Sequence, residues 1–249
     1  MAAEAGLVVD DEAFKRLMEE QRERARGARK TAVFEKEMDL VSGLVAEGVK
    51  TEFYGYERLS DETDVLAVFA DGRRVKELPE GAQGELVLAG TPFYAESGGQ
   101  LGDEGFIRGP GGEFEVWDTQ RPAEGIVLHL GKVTQGRMAV GEHVSAQVDG
   151  DRRGHMVAHH SATHLLNCAL RELVSPTIKQ AGSYVAPDRF RFDFSHFEGI
   201  SPDKLEAIER RVNGWIMENH PVRTYSMALK DVPQSGIVAV FDEKYGDVV

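Results

Sequence analysis

Between Thr51 and Asp149 the chain breaks into short strand-like runs, each closed by a turn signal. Val65–Phe69 leads into Asp71-Gly72, the residue pair that suits a two-residue hairpin because both central positions need positive φ, and the chain returns through Val75–Leu78. Glu85–Leu88 follows. Gly105–Ile107 and Phe114–Trp117 flank a second turn at Gly109-Pro110-Gly111-Gly112, and Ile126–Leu130 and His143–Val148 complete the set. Strands this short, spaced about ten residues apart, predict a small barrel or sandwich.

The flanks carry a different period. Ala13, Phe14, Leu17 and Met18, then Val33, Phe34, Met38, Leu40, Val41 and Leu44, recur at helical spacing behind the acidic start Asp10-Asp11-Glu12. After Gly150 a helix is expected over Gly154–Val174, stopped by Pro176. Strands are expected at Ser183–Val185 and Arg189–Ser195 around Pro187-Asp188, with Phe190, Phe192 and Phe194 sharing a face. Ser201-Pro202 reads as the cap of a second helix carrying Leu205, Ile208, Val212, Trp215 and Ile216. Further strands are expected near Val222–Ala228 and Gly236–Phe241. The expected class is α+β: a helical segment over 1–45, a β-barrel over 46–150 and an α+β unit over 151–249.

Composition narrows the partners. No apolar run approaches the roughly 20 residues that span a bilayer, and the start has no basic, apolar leader pattern, so no membrane partner is expected. A single cysteine, Cys168, excludes an internal disulfide and suits a reducing cytoplasm. The net charge of −13 argues against nucleic-acid binding by the chain as a whole. Residues 151–249, however, hold 12 Lys+Arg against 13 Asp+Glu and are nearly neutral. Arg152, Arg153, Arg171, Lys179, Arg189 and Arg191 are the candidates there for a local basic surface.

Four segments could carry chemistry. In His160-Ser161-Ala162-Thr163-His164 the two imidazoles stand four residues apart, on one face of a helix and within reach of one metal ion. The glutamate of the H-E-x-x-H protease helix is replaced by Ser161, which excludes that mechanism. His160, His164, Asn167 and Arg171 are expected on a polar face, with Ala158, Ala162, Leu165, Ala169 and Leu173 opposite. Two histidines are half of a tetrahedral zinc set, so a solvated histidine face is the competing reading. Cys168 lies about 12 Å along the axis from His160, too far to share an ion, and is expected to be a small buried residue. Thr91–Gln100 contains Gly98-Gly99, which permits close backbone approach to a ligand, and Gln100, both donor and acceptor; equally it suits a barrel loop. Lys179–Ser183 enters a strand, or is a polar loop. In Arg191–His196, Asp193 could orient a ligand or pair with Arg191.

Together, TPFYAESGGQLGDEG (Thr91–Gly105), HSATHLL (His160–Leu166), KQAGSYV (Lys179–Val185) and RFRFDFSH (Arg189–His196) resemble, in order and spacing, the editing region of the alanyl-tRNA synthetases. The likeness runs through the whole chain. It implies that residues 1–45 are the tail of a helical tRNA-recognition domain, 46–150 a translation-factor-like barrel, and 151–249 an editing core of the type shared by threonyl- and alanyl-tRNA synthetases. The implied activity is hydrolysis of serine or glycine mischarged onto alanine tRNA, with the tRNA acceptor end as partner and Zn2+ held by His160 and His164. Thr91 would read the serine hydroxyl, and Thr163 and Gln180 would line the pocket. Gly98, Gly99 and Gln100, with Arg191 and Asp193, would meet the tRNA end. The family completes its zinc set with a Cys-x-x-x-His beyond the Tyr-Gly-Asp-Val-Val strand, which here is Tyr245–Val249, so weak deacylation is expected of residues 1–249 alone. ATP and Mg2+ belong to the family's aminoacylation domain, expected ahead of Met1. A free-standing trans-editing deacylase and a metal-free tRNA-binding module are the alternatives.

Overall fold

Asp71 and Gly72 adopt φ of 50° and 73°, the paired positive values of a type I′ turn, and so return the first long strand on itself. The structure is a computed structural model that describes Arg16, residues 40–223 and 225–234, and Val248. Its strands in chain order are β1 (Glu52–Phe53), β2 (Ser60–Ala70), β3 (Arg73–Val75), β4 (Glu77–Pro79), β5 (Gln83–Leu88), β6 (Gly90–Thr91), β7 (Gly105–Gly109), β8 (Gly112–Ala123), β9 (Ile126–Ala139) and β10 (His143–Val148). β2, β5, β9, β8, β7 and β10 pair successively and antiparallel, and β10 returns to β2, which closes a six-stranded barrel. β3 and β4 extend β2 and β9 at the rim, and β1 and β6 form a separate parallel pair.

Alternation explains what each strand buries. Leu86 and Leu88 point into the barrel with Val68, Phe93, Ile107, Phe114, Met138 and Val144, while Val87 points outward. Outside, Val87 joins Ala67, Phe69, Ile126 and Leu128 beneath Val41 and Leu44 of a helix at 40–46. This wall of the barrel is therefore buried on both faces, and its strands read as apolar runs rather than strict alternation.

Two helices and a hairpin follow the barrel: α1 (Gly150–Leu173), β11 (Gln180–Val185), β12 (Phe190–Phe194) and α2 (Pro202–Glu218). α1 starts four residues before the expected Gly154, because Asp149 caps it by accepting the Arg152 N–H at 3.0 Å. Ser201 and Pro202 start α2 as expected, and Asn219 ends it in the left-handed conformation. Leu166, Leu170, Ile178, Ile208, Val212, Trp215, Phe192 and Phe194 pack into a second core between helices and hairpin.

Several expectations change. The buried residues of α1 are Arg153, Met156, Thr163, Asn167, Ala169 and Leu170, so of the expected apolar face Ala169 is buried while Ala158 is exposed. Cys168 is exposed rather than buried. At 100° per residue it lies on the far side from Met156, Thr163, Asn167 and Leu170. On α2, Leu205 and Ile216 are exposed. No strand runs through the described part of Val222–Ala228; only Ala228 forms a bridge, with Val248. The expected strand Gly236–Phe241 and most of the N-terminal helix lie outside the described residues. Among the described residues no helix is long and apolar enough to cross a membrane.

Candidate functional site

The Ser97–Gln100 turn is closed on itself by its backbone. Gly98 and Gly99 take φ of 61° and 84°, which brings the Ser97 and Gln100 backbones into mutual hydrogen bonds of 3.0 and 3.1 Å. The turn then docks on the hairpin: the Val185 N–H donates to Gly99 O at 2.7 Å, the Leu101 N–H to Val185 O at 3.1 Å, and the Ser183 hydroxyl to Gly98 O at 3.1 Å. A side chain at Gly99 would stand 2.3 Å from Ser183 Oγ and 2.7 Å from its carbonyl oxygen. Close backbone approach, left open by the sequence, is therefore made to β11.

The same turn reaches the histidine helix. His160 Nδ1–H donates to Gln100 Oε1 at 2.7 Å, so the bond fixes the tautomer and leaves Nε2 as a bare lone pair. The His160 and His164 rings stack with centroids 5.2 Å apart and planes 17° from parallel. His160 is partly buried and His164 exposed. Burial, and then the neighbouring His164, hold the His160 pKa below its ordinary value, which favours the neutral imidazole that can ligate a metal. Among the described residues no group of three His, Cys, Asp or Glu side chains converges on these two.

β11 runs back along α1. Its two ends are tied to the helix, with the Arg171 guanidinium donating to Ile178 O at 2.8 Å and His159 Nδ1–H donating to Ala186 O at 2.7 Å. His160 accordingly sits at the Val185 end, beside the glycine turn. Gln180 lies at the other, roughly 16 Å along the strand, level with the last turns of α1. Thr163, 4% exposed, turns its hydroxyl back onto His159 O at 2.9 Å. Asn167 is 7% exposed and its Oδ1 has no partner among the described residues.

Thr91 is placed differently from the other motif residues. It is fully buried in the barrel, its hydroxyl donating to His129 Nε2 at 2.7 Å and accepting the Phe93 N–H at 3.1 Å. His129 is itself fully buried, with Nδ1–H donating to Leu86 O at 3.0 Å, and burial pushes its pKa down to about 4. The Thr91 hydroxyl keeps one acceptor lone pair uncommitted, and the side chain has no exposed surface through which a serine hydroxyl reaches it. Arg191 and Asp193 pair with each other on β12 at 3.0 Å.

The expected basic surface is largely spent on internal pairing. Arg152 bridges to Glu104 at 2.7 Å, Arg189 to Asp188 at 2.8 Å and Arg191 to Asp193. Arg153 is buried and clamps the Asp103 carboxylate, Gly55 O and Pro92 O. Asp103 in turn accepts the Tyr94 N–H at 2.8 Å. This clamp, which ties α1 to both ends of the Thr91–Gln100 segment, is absent from the sequence-derived candidates. An arginine beside a second arginine reads as surface charge, and nothing local points to a partner 50 residues away.

Comparisons with known proteins follow the same segments. The model of the family described as tRNA synthetases class II (A) matches residues 1–152. The chain is 48% identical over 251 residues to the alanine–tRNA ligase of Anaeromyxobacter sp., covering 100% of this chain and 27% of that protein. It is 45% identical to the alanine–tRNA ligase of Thermus thermophilus and 47% to that of Halorhodospira halophila, in each case over 100% of this chain and 28% of the relative. The chain thus spans a little over a quarter of the length of the curated relatives it matches.

Proposed function

The chain belongs to the class II (A) tRNA synthetases, and on that premise we propose that the groove between the Ser97–Gln100 turn, β11 and the histidine face of α1 is an editing site. Its substrate is the ester joining serine or glycine to the acceptor end of alanine tRNA, and its reaction is hydrolysis of that ester. In this reading the barrel over 46–150 is the translation-factor-like domain, 151–249 the editing core, and 1–45 the tail of a tRNA-recognition domain. ATP- and Mg2+-dependent charging belongs to parts of the longer ligases outside this stretch. The protein works in the cytoplasm.

One observation carries the reading. The Gln100–His160 bond spans 60 residues and joins the glycine turn to the histidine pair, with no partner for the Nε2 of His160 among the described residues. A polar turn with no function would have no need to orient a ring on a different element. His160 and His164 fit half of a tetrahedral nitrogen and sulfur set, and Zn2+ bound there supplies Lewis acidity toward the ester carbonyl or a water. Gln100 holds His160 in the ligating tautomer. Gly98, with nothing within 4 Å of where a side chain would start, leaves room for a ribose, while Gly99 gives its space to Ser183 and seats the turn on β11. In this reading Thr163, three residues after His160 on α1, and Gln180, at the far end of β11, are the pocket-lining groups, and Arg191 and Asp193, paired on β12, meet the tRNA end. Thr91, through Phe93 N–H and His129, shapes the base of the turn that a serine hydroxyl must approach. A second sieve of this kind is needed because a small apolar pocket cannot reject a substrate that merely adds a hydroxyl.

The test is a titration of the zinc-supplemented protein with a non-hydrolysable 3′-amide mimic of seryl-adenosine while imidazole resonances are recorded. Shifts at His160 and His164, with about tenfold weaker binding on His160→Ala or His164→Ala, are expected. Saturable binding that leaves both rings unmoved, or no binding, overturns the reading.

A further inference from the structure

Ser97, at one end of the glycine turn, also lines a pocket of about 150 Å³. Its walls are aromatic: Phe53, Tyr56, Phe93 and Tyr94, closed by Ser97 and by Arg121. Phe53 stands edge-on to Tyr56, with centroids 5.0 Å apart and planes at 83°, and also packs against Tyr94 at 6.1 Å. Tyr56 is held in this arrangement although it is 85% exposed, so its ring is presented to solvent rather than used as core. Arg121 is exposed, and among the described residues no ion pair is assigned to it. The neighbouring arginines Arg152 and Arg153 are both committed to carboxylates.

Resting on the editing reading, we propose that this pocket receives an unpaired nucleobase from the 3′ end of the tRNA, stacked on Tyr56, with the adjoining phosphate on Arg121. Three features favour a nucleobase. The volume suits one heterocycle. A rigid aromatic with one open face is the usual platform for a single-stranded base, and it accepts any base because every base has a π face. A single uncommitted guanidinium at the rim complements a single phosphate, as expected where backbone charge positions a strand. The location matters most. Ser97, in the pocket wall, and Gln100, bonded to His160, are the two ends of one turn and exchange backbone hydrogen bonds. A strand with its terminal ester at the histidines would run along the turn whose other end walls this pocket.

The experiment measures binding of the unacylated trinucleotide CCA, and of 5′-AMP and 5′-CMP separately, to the 249-residue protein and its variants. Tyr56→Ala removes a side chain that supports no core and is expected to weaken CCA binding about tenfold, with Tyr56→Phe restoring it. Arg121→Ala is expected to weaken CCA and to flatten its salt dependence. A Tyr56→Ala effect on AMP alone assigns the terminal adenine to the pocket, and one on CMP alone assigns the penultimate cytosine. Unchanged CCA affinity in Tyr56→Ala and Arg121→Ala overturns the inference. If the seryl-adenosine mimic still shifts His160 and His164 in that case, the editing reading survives it; if the mimic fails as well, both fall.

Discussion

Arg153 on α1 closes on Asp103 of the barrel segment with Nε 2.9 Å from both carboxylate oxygens, at side-chain exposures of 9% and 1%. Nη1 donates to Gly55 O at 2.8 Å and Nη2 to Pro92 O at 2.9 Å and to Asp103 Oδ2, so four of the five guanidinium donors are engaged. The pair is the mechanical tie between the histidine helix and the barrel, two helical turns below His160.

Removing one partner leaves the other charged and unpaired inside the protein. Asp103→Ala or Arg153→Ala is expected to lower the unfolding free energy by about 3–5 kcal/mol, measured by urea denaturation. The double variant should cost clearly less than the sum, because the second change removes the stranded charge. Full additivity would show that the two side chains act independently.

Acid weakens the fold through His129. Its pKa in the folded protein is depressed from 6.5 to about 4 by complete burial. The unfolded chain therefore binds a proton that the folded protein refuses, and stability from this residue is present above pH 6.5 and lost as the pH falls toward 4. The expected loss across that window is about 3 kcal/mol at 1.36 kcal/mol per unit. In His129→Gln this component of the pH dependence should vanish. A variant whose stability falls between pH 6.5 and 4 as steeply as the parent's would refute the assignment.

The two adjacent glycines differ in what they exclude. At Gly98 a Cβ meets nothing within 4 Å, and Gly98→Ala should cost only about 1 kcal/mol for the left-handed backbone. At Gly99 a Cβ meets the Ser183 backbone as well as its hydroxyl, so Gly99→Ala should cost about 2–4 kcal/mol and undock the turn from β11. Hydrogen exchange at the Val185 amide reads this directly, since that N–H is bonded to Gly99 O. Faster exchange is expected in Gly99→Ala and not in Gly98→Ala.

What the sequence discloses is local. The Asp71-Gly72 turn and the limits of β10 can be read from it because a positive-φ pair and a short alternating run have few other structures to form. β9 was harder: its 14 residues carry Gly131, Gly136 and a run of polar side chains, and it is held by pairing with β8, β5 and β4. The inward face of α1 is legible only in part: Ala169 is buried as the spacing predicts, but Thr163 and Asn167 point into the protein while Ala158 does not, and hydrophobic periodicity cannot anticipate buried polar groups. His129 carried a usable signal, a lone histidine inside the apolar run Ile126–Leu130. The Gln100–His160 and Asp103–Arg153 partnerships depend on barrel closure, and no periodicity within either segment encodes them.

Gln100 is where the candidate site is most exposed to test. Its Oε1 accepts His160 Nδ1–H at 2.7 Å, and this bond alone selects the tautomer whose Nε2 is free. Gln100 is 5% exposed and its backbone is held by Ser97, so replacing the side chain leaves the turn in place. Gln100→Leu should therefore release the ring to the other tautomer, visible as an exchange of the two imidazole 15N shifts of His160, with little change in unfolding midpoint. A ligating histidine that loses its outer hydrogen-bond partner typically loses 10–100-fold in metal affinity, so zinc binding by the His160–His164 pair should weaken by at least about tenfold. Gln100→Glu keeps an acceptor at the same distance and should retain the tautomer. If Gln100→Leu leaves both the 15N pattern and zinc affinity at the parent values, the bond positions nothing, and the histidine pair is a surface feature of α1.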